Sequence, residues 1–373
     1  MPDNIFITGA TGFLGSTLLT QILDNSDSNV FLLIRPSAGR DRLLRLKEVL
    51  KKLALRKTLL PECTRRITII DGDITKKDLG IKRKTFNHLK ENLDIVFHLA
   101  AELDIKNSYE HISLVNKTGT INLLDFALQC KKSGKLKKVN HVSTAYVLGS
   151  KGLENVSFRE NQLELSQGFN NLYEKTKYEA EVAVGHYRKE GLLVDVFRPS
   201  IIIEGLPIID YRMFSDFFRP FRFFISGIFK SIPARPDARY NLVSVDDAAR
   251  AILIISNSTN SKNKNYHIVN TNYISLRHIL DIAMSVFDAP KPLCASYEKF
   301  DFNSLSRVQR EIISPFVPYL NFRARFDGGN AHNMLRKKGF RYSRLKDREI
   351  RLAFEYIRDN RMRQKELCID FSR

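Results

Sequence analysis

Tryptophan is absent from the 373 residues of this chain, and cysteine is scarce. The four cysteines are scattered, at Cys63, Cys130, Cys294 and Cys368. Their spacing contains no CxxC pair and no zinc-knuckle pattern, so we expect free thiols in a reducing compartment and no metal site. No stretch approaches the ~18 apolar residues that a membrane span requires, and no secretory signal is visible. The sequence therefore predicts a cytoplasmic protein.

Basic residues exceed acidic ones by a wide margin. Lys and Arg total 60 against 41 Asp and Glu, which gives a net charge of +19. Two segments, 35–66 and 322–366, carry +8 each and account for most of the excess. Such surfaces suit nucleic acid, peripheral contact with an anionic membrane, an acidic protein partner or a phosphorylated small molecule. A nucleic-acid partner is not expected, because no recognised binding motif accompanies the charge.

Short runs rich in Val and Ile alternate with amphipathic stretches through the first 205 residues. The amphipathic stretches include Leu14–Asp24, Gly119–Cys130 and Tyr173–Glu190. The strand candidates are Asn4–Thr8, Val30–Ile34, Ile67–Asp71, Ile95–His98, Lys138–Ser143 and Val194–Pro199. This alternation indicates βαβ units around a buried parallel sheet. The sequence thus predicts an α/β fold with a Rossmann-type doubly wound parallel sheet.

The pattern loosens after residue 205. Four prolines and many phenylalanines occupy residues 206–240, and residues 271–373 are irregular to helical and basic. We therefore assign residues 1–205 plus 241–270 to a Rossmann-type domain, for which the residues described below predict NADP binding. Residues 206–240 plus 271–373 would form a smaller, mostly helical substrate-binding lobe at the C-terminal side.

Three further elements are expected in this second half. Residues Asn241–Ala249 read as a short extended piece that enters a helix, and Tyr266–Asn270 reads as a strand. Ile350, Phe354 and Ile357 recur at helical spacing within a basic stretch, which predicts a basic amphipathic helix.

A glycine triad follows the first strand candidate. Residues 5–15 read IFITGATGFLG, and Gly9, Gly12 and Gly15 are the only glycines among the first 38 residues. In a dinucleotide fingerprint such glycines permit a tight turn, close approach of a pyrophosphate, and packing of helix on strand. The helix N-terminus adds N–H groups and a partial positive charge. The spacing TGxxGFLG resembles the extended short-chain dehydrogenase/reductase superfamily.

The end of the second strand bears on the choice between NADPH and NADH. An acid there would bind the adenosine ribose hydroxyls, whereas an arginine accommodates a 2′-phosphate. The strand ends at Arg35 with no acid. Arg35, with Arg40 as a second contact, therefore predicts NADPH as the cofactor.

The resemblance implies further contacts around the cofactor. It places Asp73 and Ile74 beside the adenine, although Asp73 could equally be a turn residue. Small residues at Ala100 and Ala101 would let the sugar approach the backbone. The remaining cofactor candidates are Thr11, Phe13, Leu14, Ser143, Pro199 and Ser200. His98, at the end of the fourth strand candidate, is interpreted as structural.

A Tyr-x-x-x-Lys pair opens a strongly helical stretch. Tyr173 and Lys177 are four residues apart and share one helix face. The neighbouring ammonium is expected to lower the pKa of the Tyr173 phenol. The resemblance implies Thr144 as the catalytic hydroxyl, with Ser143 as the fallback. Tyr173 would deliver a proton, Thr144 would bond the same oxygen, and Lys177 would hold the nicotinamide ribose. Asn116 matches the superfamily's helix asparagine, but a simple helix cap explains it equally well.

Several segments resemble one branch of the superfamily, the thioester reductases of peptide and polyketide synthetases together with the fatty acyl-CoA reductases of male-sterility type. They are GFLG at 12–15, LLIR at 32–35, HLAAE at 98–102, VSTAY at 142–146 and IPARPDARYNLVSVDD at 232–247. Ser244 departs from the proline usual in the last segment. The resemblance covers residues 1–255 well and the last hundred faintly. It implies NADPH-dependent reduction of an acyl-CoA or acyl-carrier-protein thioester to an aldehyde or alcohol.

Other interpretations stay open. The chain could be a ketone or hydroxysteroid-type oxidoreductase, an NAD-dependent nucleotide-sugar epimerase or dehydratase, or a cofactor-binding scaffold. Arg35 disfavours the sugar enzymes, and the set of Thr144, Tyr173 and Lys177 disfavours a scaffold.

Residues 214–229 contain seven phenylalanines, which would line an acyl tunnel, dip into a membrane surface, or form ordinary core. Both a monomer and a homodimer are compatible with the sequence.

Overall fold

The computed structural model describes residues 2–36, 65–204, 221–259 and 261–363. Within these ranges the α-helices are α1 (Phe13–Asn25), α2 (Arg83–Asn92), α3 (Tyr109–Ser113), α4 (Gly119–Lys132), α5 (Leu172–Lys189), α6 (Val245–Ser256), α7 (Leu276–Phe287), α8 (Arg307–Ile313), α9 (Val317–Leu320), α10 (Gly329–Lys337) and α11 (Asp347–Arg363). A π-helical turn, Leu114–Thr118, joins α3 to α4. None of the helices in the described ranges is both long and apolar enough to cross a membrane.

Seven strands form one central sheet. They are β1 (Asn4–Thr8), β2 (Asn29–Ile34), β3 (Ile67–Asp71), β4 (Ile95–His98), β5 (Lys138–Val142), β7 (Val194–Pro199) and β12 (Asn265–Ile268). Their spatial order is β12-β7-β5-β4-β1-β2-β3, and every neighbouring pair is parallel. The predicted doubly wound parallel sheet is therefore confirmed, and each predicted strand agrees with the structure to within two residues.

The remaining strands form short pairs outside this sheet. They are β6 (Ser157–Arg159), β8 (Ile201–Ile203), β9 (Ser231–Pro233), β10 (Arg239–Tyr240), β11 (Leu242–Ser244), β13 (Ile274–Ser275), β14 (Leu293–Ala295) and β15 (Arg325–Asp327). The predicted extended piece that enters a helix is confirmed, because β11 leads directly into α6.

Chain direction along the sheet determines where a ligand can enter. From β1 the chain moves through α1 to β2 and β3 on one side, whereas β4, β5 and β7 lie on the other. The order thus reverses between β1 and β4. In open parallel sheets a crevice forms outside the carboxyl ends of the strands at this switch point. The loops after β1 and β4, which carry the glycine triad and Ala100, meet there.

Each face of the sheet is covered by helices. Apolar side chains of α1, α6 and α10 pack on one face, and those of α2, α4 and α5 pack on the other. Because both faces are buried, the strands read as nearly continuous apolar runs. Helix α10 lies in the stretch assigned from sequence to the substrate-binding lobe, yet Ala331 and Leu335 belong to the sheet core. The division into two domains stays a prediction.

A separate apolar cluster forms around α7 and α11. Ile350, Phe354 and Ile357 are buried in it, so the amphipathic helix predicted from their spacing is present, with its apolar face against the protein. Phe221, Phe224 and Phe229 are also buried in this cluster, and Phe223 packs against it. For these rings the core interpretation holds. The other phenylalanines of the rich segment, Phe214, Phe217 and Phe218, lie outside the described residues.

Strands β6 and β15 join sequence-distant parts of the chain. Phe158 of β6 is in register with Phe326 of β15 in a parallel pair. Glu160, which follows β6, accepts hydrogen bonds from the backbone N–H groups of Asn330 and Ala331 at 2.6 and 3.1 Å. This carboxylate satisfies N–H groups at the first turn of α10, whose own N-cap, Gly328, offers no side chain. The same carboxylate accepts the backbone N–H of His267 in β12 at 2.9 Å, so the C-terminal stretch is attached to the central sheet.

A buried ion pair connects β7 with α5. Arg198 and Glu181 are both almost fully buried, and the Arg198 guanidinium lies 2.7 Å from a Glu181 carboxylate oxygen. The guanidinium also donates to the backbone carbonyl of Gln162 at 2.8 Å. Burial of two charges is tolerated here because both partners and their hydrogen bonds are present.

Replacement of Arg198 by methionine should be strongly destabilising, since it leaves the Glu181 carboxylate buried without its partner. We expect the free energy of unfolding to fall by about 3–5 kcal/mol, as measured by urea denaturation followed by circular dichroism. Arg307→Met is the matched control, because Arg307 pairs with Glu311 on an exposed helix surface and should change stability by less than ~1 kcal/mol. An equal loss of unfolding free energy in the two variants would contradict the view that Arg198 and Glu181 form a buried pair that the fold requires.

Candidate active site

The glycine triad brings three backbone segments into close contact. Gly9 has φ +74°, a left-handed conformation that favours glycine. A Cβ atom on Gly15 would lie 2.1 Å from the Gly9 carbonyl oxygen, and one on Gly9 would lie 2.5 Å from the Ala100 nitrogen. Gly12 donates its N–H to the Gly9 carbonyl at 2.9 Å. The loop can therefore close only with glycine at Gly9 and Gly15.

The N-terminus of α1 faces the space above this loop. Helix α1 begins at Phe13, and its first turn has neither a side-chain cap within the described part of the chain nor an acidic residue. The helix end carries a partial positive charge from its N–H groups. Such an end is suited to a phosphate group.

A cavity of about 720 Å³ lies at this edge of the sheet. It brings together nearly all of the site residues predicted from sequence. Those that line it are Gly9, Thr11, Gly12, Phe13, Leu14, Gly15, Arg35, Asp73, Ile74, Ala100, Ala101, Ser143, Thr144, Tyr173, Lys177, Pro199 and Ser200. Arg40 lies outside the described residues, and Asn116 is buried behind the wall. The loop of Gly9, Gly12 and Gly15, called the glycine cradle below, fits a dinucleotide together with the uncapped end of α1 and the size of the cavity.

Asp73 and Ile74, which the resemblance places beside an adenine, line the cavity, but both also have partners within the protein. The Asp73 carboxylate accepts hydrogen bonds from the Thr75 backbone N–H at 2.9 Å and from its hydroxyl at 2.8 Å. Asp73 is therefore a turn residue as well as a cavity residue. Ile74 packs directly under Gly119, where a Cβ would come within 2.8 Å of its side chain. The two interpretations of Asp73 left open by the sequence are compatible.

The two neighbouring hydroxyls after β5 differ in their bonding. Thr144 Oγ1 accepts the Tyr146 backbone N–H at 3.2 Å and so caps the following 3₁₀ turn. Its own hydroxyl proton remains available to a ligand oxygen, because a hydroxyl donates once and accepts twice. Ser143 Oγ is buried in the cavity wall and has no hydrogen-bond partner among the described residues. A buried polar atom of this kind is satisfied by an ordered water or by a ligand that enters the cavity.

Tyr173 and Lys177 enter the cavity from α5. Asn171 caps the helix, since its side chain accepts the Glu174 backbone N–H at 2.9 Å. The Lys177 ammonium donates to the Val142 carbonyl at the end of β5, at 2.8 Å. Burial lowers the pKa of Lys177 to about 8, because the charged form loses its hydration.

The pKa of Tyr173 is raised, whereas the sequence predicted that it would be lowered. Burial, and secondarily the charge of Glu174, raise the pKa of Tyr173 above that of an ordinary phenol. The expected lowering rested on the Lys177 ammonium alone, whereas burial and the charge of Glu174 act in the opposite direction in the folded protein. The consequence is a phenol that is fully protonated at neutral pH, which is the form that a proton donor requires.

Asn116 acts inside the helix rather than at its end. It lies in the π-helical turn, where its side-chain oxygen accepts the Glu102 N–H at 2.7 Å and its amide donates to the Glu102 carbonyl at 3.0 Å. The same amide donates to the Thr176 hydroxyl of α5 at 3.1 Å. The alternative of a simple cap is therefore wrong. Asn116 joins the loop after β4 to the helix that carries Tyr173.

His98 and Ser200 are both held by neighbours within the protein. The His98 ring lies between the Thr8 and Thr120 hydroxyls, at 2.7 and 3.0 Å. Burial, with a smaller effect of Lys177, lowers the pKa of His98 to about 3, so the ring is neutral and structural, as interpreted from sequence. The Ser200 hydroxyl donates to the Asn241 side chain at 2.7 Å.

Three residues near the site were missed by sequence reasoning. Tyr146 lines the cavity, and its position two residues after Thr144 was the only available signal. Glu174 is fully buried beside Tyr173. Tyr319 reaches it from α9, with its hydroxyl 2.6 Å from a Glu174 oxygen. No local pattern connects residues so far apart in sequence.

A known family and several characterised proteins resemble this chain in sequence. Residues 7–252 match the family model described as male sterility protein. The chain is 28% identical to the L-2-aminoadipate reductase large subunit of Candida glabrata, over 68% of this chain and 19% of that protein. It is 27% identical to a putative fatty acyl-CoA reductase of Drosophila melanogaster, over 69% of this chain and 55% of that protein. The aligned region thus spans about half or less of each of these two relatives.

Solved structures share the fold. The terminal R domain from the myxalamid PKS-NRPS biosynthetic pathway superposes with a TM-score of 0.78 at 22% identity, and the match covers 97% of this chain and 91% of that one. UDP-glucose 4-epimerase from Thermotoga maritima superposes with a TM-score of 0.64 at 18% identity, covering 96% and 99%. At these identities the likeness concerns the fold.

Gly15→Ala should weaken cofactor binding while Gly185→Ala should not. Both glycines lie in helices, but a Cβ on Gly15 would meet the Gly9 carbonyl oxygen, whereas one on Gly185 would meet no described residue within 4 Å. Forced overpacking costs about 1–3 kcal/mol, so we expect the affinity for a nicotinamide dinucleotide to fall by roughly ten- to 100-fold, as measured by fluorescence titration with NADPH and with NADH. Unchanged affinity in a folded Gly15→Ala protein would refute the claim that the close packing of Gly15 on Gly9 shapes the dinucleotide site.

Proposed function

The chain belongs to the male sterility protein family of extended short-chain dehydrogenase/reductases, and we propose that it is an NADPH-dependent reductase of acyl thioesters. One observation carries the proposal: Thr144, Tyr173 and Lys177 line the same cavity as the glycine cradle. A hydroxyl, a protonated phenol and an amine beside a dinucleotide cradle suit the delivery of a proton to a carbonyl oxygen.

The relatives support a thioester as the substrate class. Their names include an aminoadipate reductase, a fatty acyl-CoA reductase and the terminal R domain of a peptide and polyketide synthetase pathway. Carriers that present an acyl group as a thioester, either coenzyme A or an acyl carrier protein, are anionic. The net charge of +19 favours encounter with such partners.

Binding of the cofactor would use groups on both sides of the sheet's switch point. The first turn of α1 would hold the pyrophosphate, and Gly9 and Ala100 would leave room for it. Arg35 at the end of β2 would bind the 2′-phosphate and so select NADPH. Lys177 would hold the nicotinamide ribose. When bound, the nicotinamide supplies the hydride.

Proton delivery would fall to the residues of α5 and the β5 loop. As the substrate carbonyl is reduced, negative charge grows on its oxygen. Thr144 would donate a hydrogen bond to this oxygen, and Tyr173 would transfer its proton to it. The product of this step is a hemithioacetal. Its C–S bond then breaks, the thiol leaves with a proton, and an aldehyde remains. A second reduction of the same kind would give an alcohol.

Tyr173→Phe tests the chemistry together with the substrate class. NADPH consumption is followed by absorbance with acyl-CoA, acyl carrier protein, ketone and nucleotide-sugar panels. We expect consumption with acyl thioesters, a loss of roughly 10²–10⁴-fold in kcat for Tyr173→Phe, and nearly unchanged NADPH affinity. Turnover of ketones or nucleotide sugars alone would eliminate the thioester proposal. A fully active Tyr173→Phe protein would eliminate the proposed proton donor.

Arg35→Ala tests the choice of cofactor. Loss of a hydrogen bond to a charged group costs about 1.5–3 kcal/mol, so NADPH affinity should fall by roughly ten- to 100-fold while NADH affinity stays the same. Arg307→Ala is the control, since Arg307 is an exposed arginine on α8, outside the cavity lining. Equal loss of NADPH and NADH affinity would reject the 2′-phosphate contact.

A further inference from the structure

Glu174 occupies an unusual position beside the candidate proton donor. It lies in the first turn of α5, next to Tyr173 in sequence, and its side chain is fully buried. A carboxylate in this turn is favoured by the helix dipole, but full burial of an acid is costly unless its oxygens are bonded. Proton transfer as proposed above uses Tyr173 and does not require Glu174. Its burial therefore needs a separate explanation.

The partners of the carboxyl group come from two elements. One oxygen accepts the Tyr319 hydroxyl at 2.6 Å, and the other accepts the Asn170 backbone N–H at 3.0 Å. The Asn171 amide in turn donates to the Tyr319 hydroxyl at 2.6 Å. Asn171 also caps α5 through the Glu174 N–H. The first turn of the helix that carries Tyr173 is thus bonded twice to a single side chain of α9.

Tyr319 extends this connection to the cavity and to the C-terminal part of the chain. Its ring contacts that of Tyr146, with centroids 5.6 Å apart, and Tyr146 lines the cavity. On the other side, Val317 and Leu320 of α9 are buried in the apolar cluster around α7 and α11. A displacement of α9 would therefore act on both Tyr146 and Glu174.

We infer that Glu174 is a positioning residue for Tyr173: through its hydrogen bond with Tyr319 it fixes the first turn of α5 to α9, and the state of its carboxyl group is transmitted to the Tyr173 phenol. The substrate-side part of the chain and the proton donor are then coupled through one carboxyl group. The arrangement of α9 determines whether this carboxyl group is held, and its protonation contributes, after the larger effect of burial, to how readily Tyr173 releases its proton.

The electrostatics agree with this geometry. Burial raises the pKa of Glu174 to about 7, although the bonds from Tyr319 and Asn170 oppose the shift. Within the described residues, Tyr319 on α9 is hydrogen-bonded to this carboxyl group, and the carboxylate charge also acts on Tyr173, the preceding residue, and on Tyr146 after β5. The Glu174 charge contributes to a raised pKa in each of them, after the larger effect of burial. Below about pH 7 the Glu174 carboxyl becomes neutral. The Tyr173 phenol is then a stronger acid than it is above pH 7, because the nearby negative charge is gone.

A spectroscopic titration tests the inference without any substrate. Protein labelled with ¹³C at the tyrosine Cζ is titrated from pH 5.5 to 8.5, and the Tyr173 and Tyr319 resonances are assigned from Tyr173→Phe and Tyr319→Phe. Both should shift with a midpoint near pH 7 in the wild type. Both shifts should disappear in Glu174→Gln, which keeps an acceptor oxygen but cannot ionise.

The chain offers a matched control on the same helix. Glu179 of α5 accepts the Tyr109 hydroxyl at 2.9 Å, in a second Tyr–Glu pair that does not involve α9. Glu179→Gln should leave the Tyr173 and Tyr319 titrations as they are in the wild type. Persistence of both shifts in Glu174→Gln, or their absence in the wild type, would overturn the inference.

A kinetic arm rests on the proposed reductase function. In the wild type, kcat for thioester reduction should rise as the pH falls through about 7, and this rise in kcat should be missing in Glu174→Gln.

Tyr319→Phe keeps the Glu174 charge but loses the hydrogen bond from Tyr319, so kcat should fall by up to about tenfold with NADPH affinity unchanged. Tyr109→Phe should match the wild type. A wild-type pH profile in Glu174→Gln would overturn the inference, whereas absence of thioester turnover in every protein would reject the function and leave the titration to decide.

Discussion

The close approach of three backbone segments at Gly9 is the constraint on which the rest of the structure depends. The carbonyl of Gly9 lies against α1 at Gly15, and the other face of the same residue lies against the loop after β4 at Ala100. This packing places the first turn of α1 over the switch point of the sheet, between the two halves of a parallel array. The cavity, the uncapped helix end and the positions of the β4 and β5 loops all follow from that placement.

Desolvation changes the pKa values of the cavity's titratable groups more than their ion pairs and hydrogen bonds do. It is the largest cause of the pKa changes at Lys177, Tyr173 and Glu174. In each case burial shifts the group toward its neutral form, although Lys177, with a pKa of about 8, stays largely protonated at neutral pH. An anionic cofactor would reverse part of this effect, because a nearby negative charge favours the Lys177 ammonium.

Local patterns predicted much of this structure, and long-range contacts account for the remainder. The strands were predictable because a parallel sheet covered on both faces requires apolar runs, as in Ile95–His98. The glycine cradle and the Tyr173–Lys177 pair were predictable because their geometry is set within a few residues. Contacts such as that of Tyr319 with Glu174 depend on how α9 packs, and no spacing rule encodes it. The raised pKa of Tyr173 was missed because desolvation depends on the completed cavity.

The pairing of β6 with β15 bears on how the protein folds as it is synthesised. Phe158 and Phe326 pair in register across a long stretch of intervening chain. Asn330 and Ala331 supply two of the three backbone N–H groups that donate to the Glu160 carboxylate, and His267 supplies the third. Closing so long a loop costs chain entropy before the contacts repay it. While the ribosome is still adding residues beyond Ile268, the seven strands of the central sheet are already made, but β6 and part of the hydrogen bonding of Glu160 still await partners that lie later in the chain. The edge of β6 that pairs with β15 therefore stays uncovered in the nascent chain until Arg325–Asp327 have been synthesised and have left the ribosome.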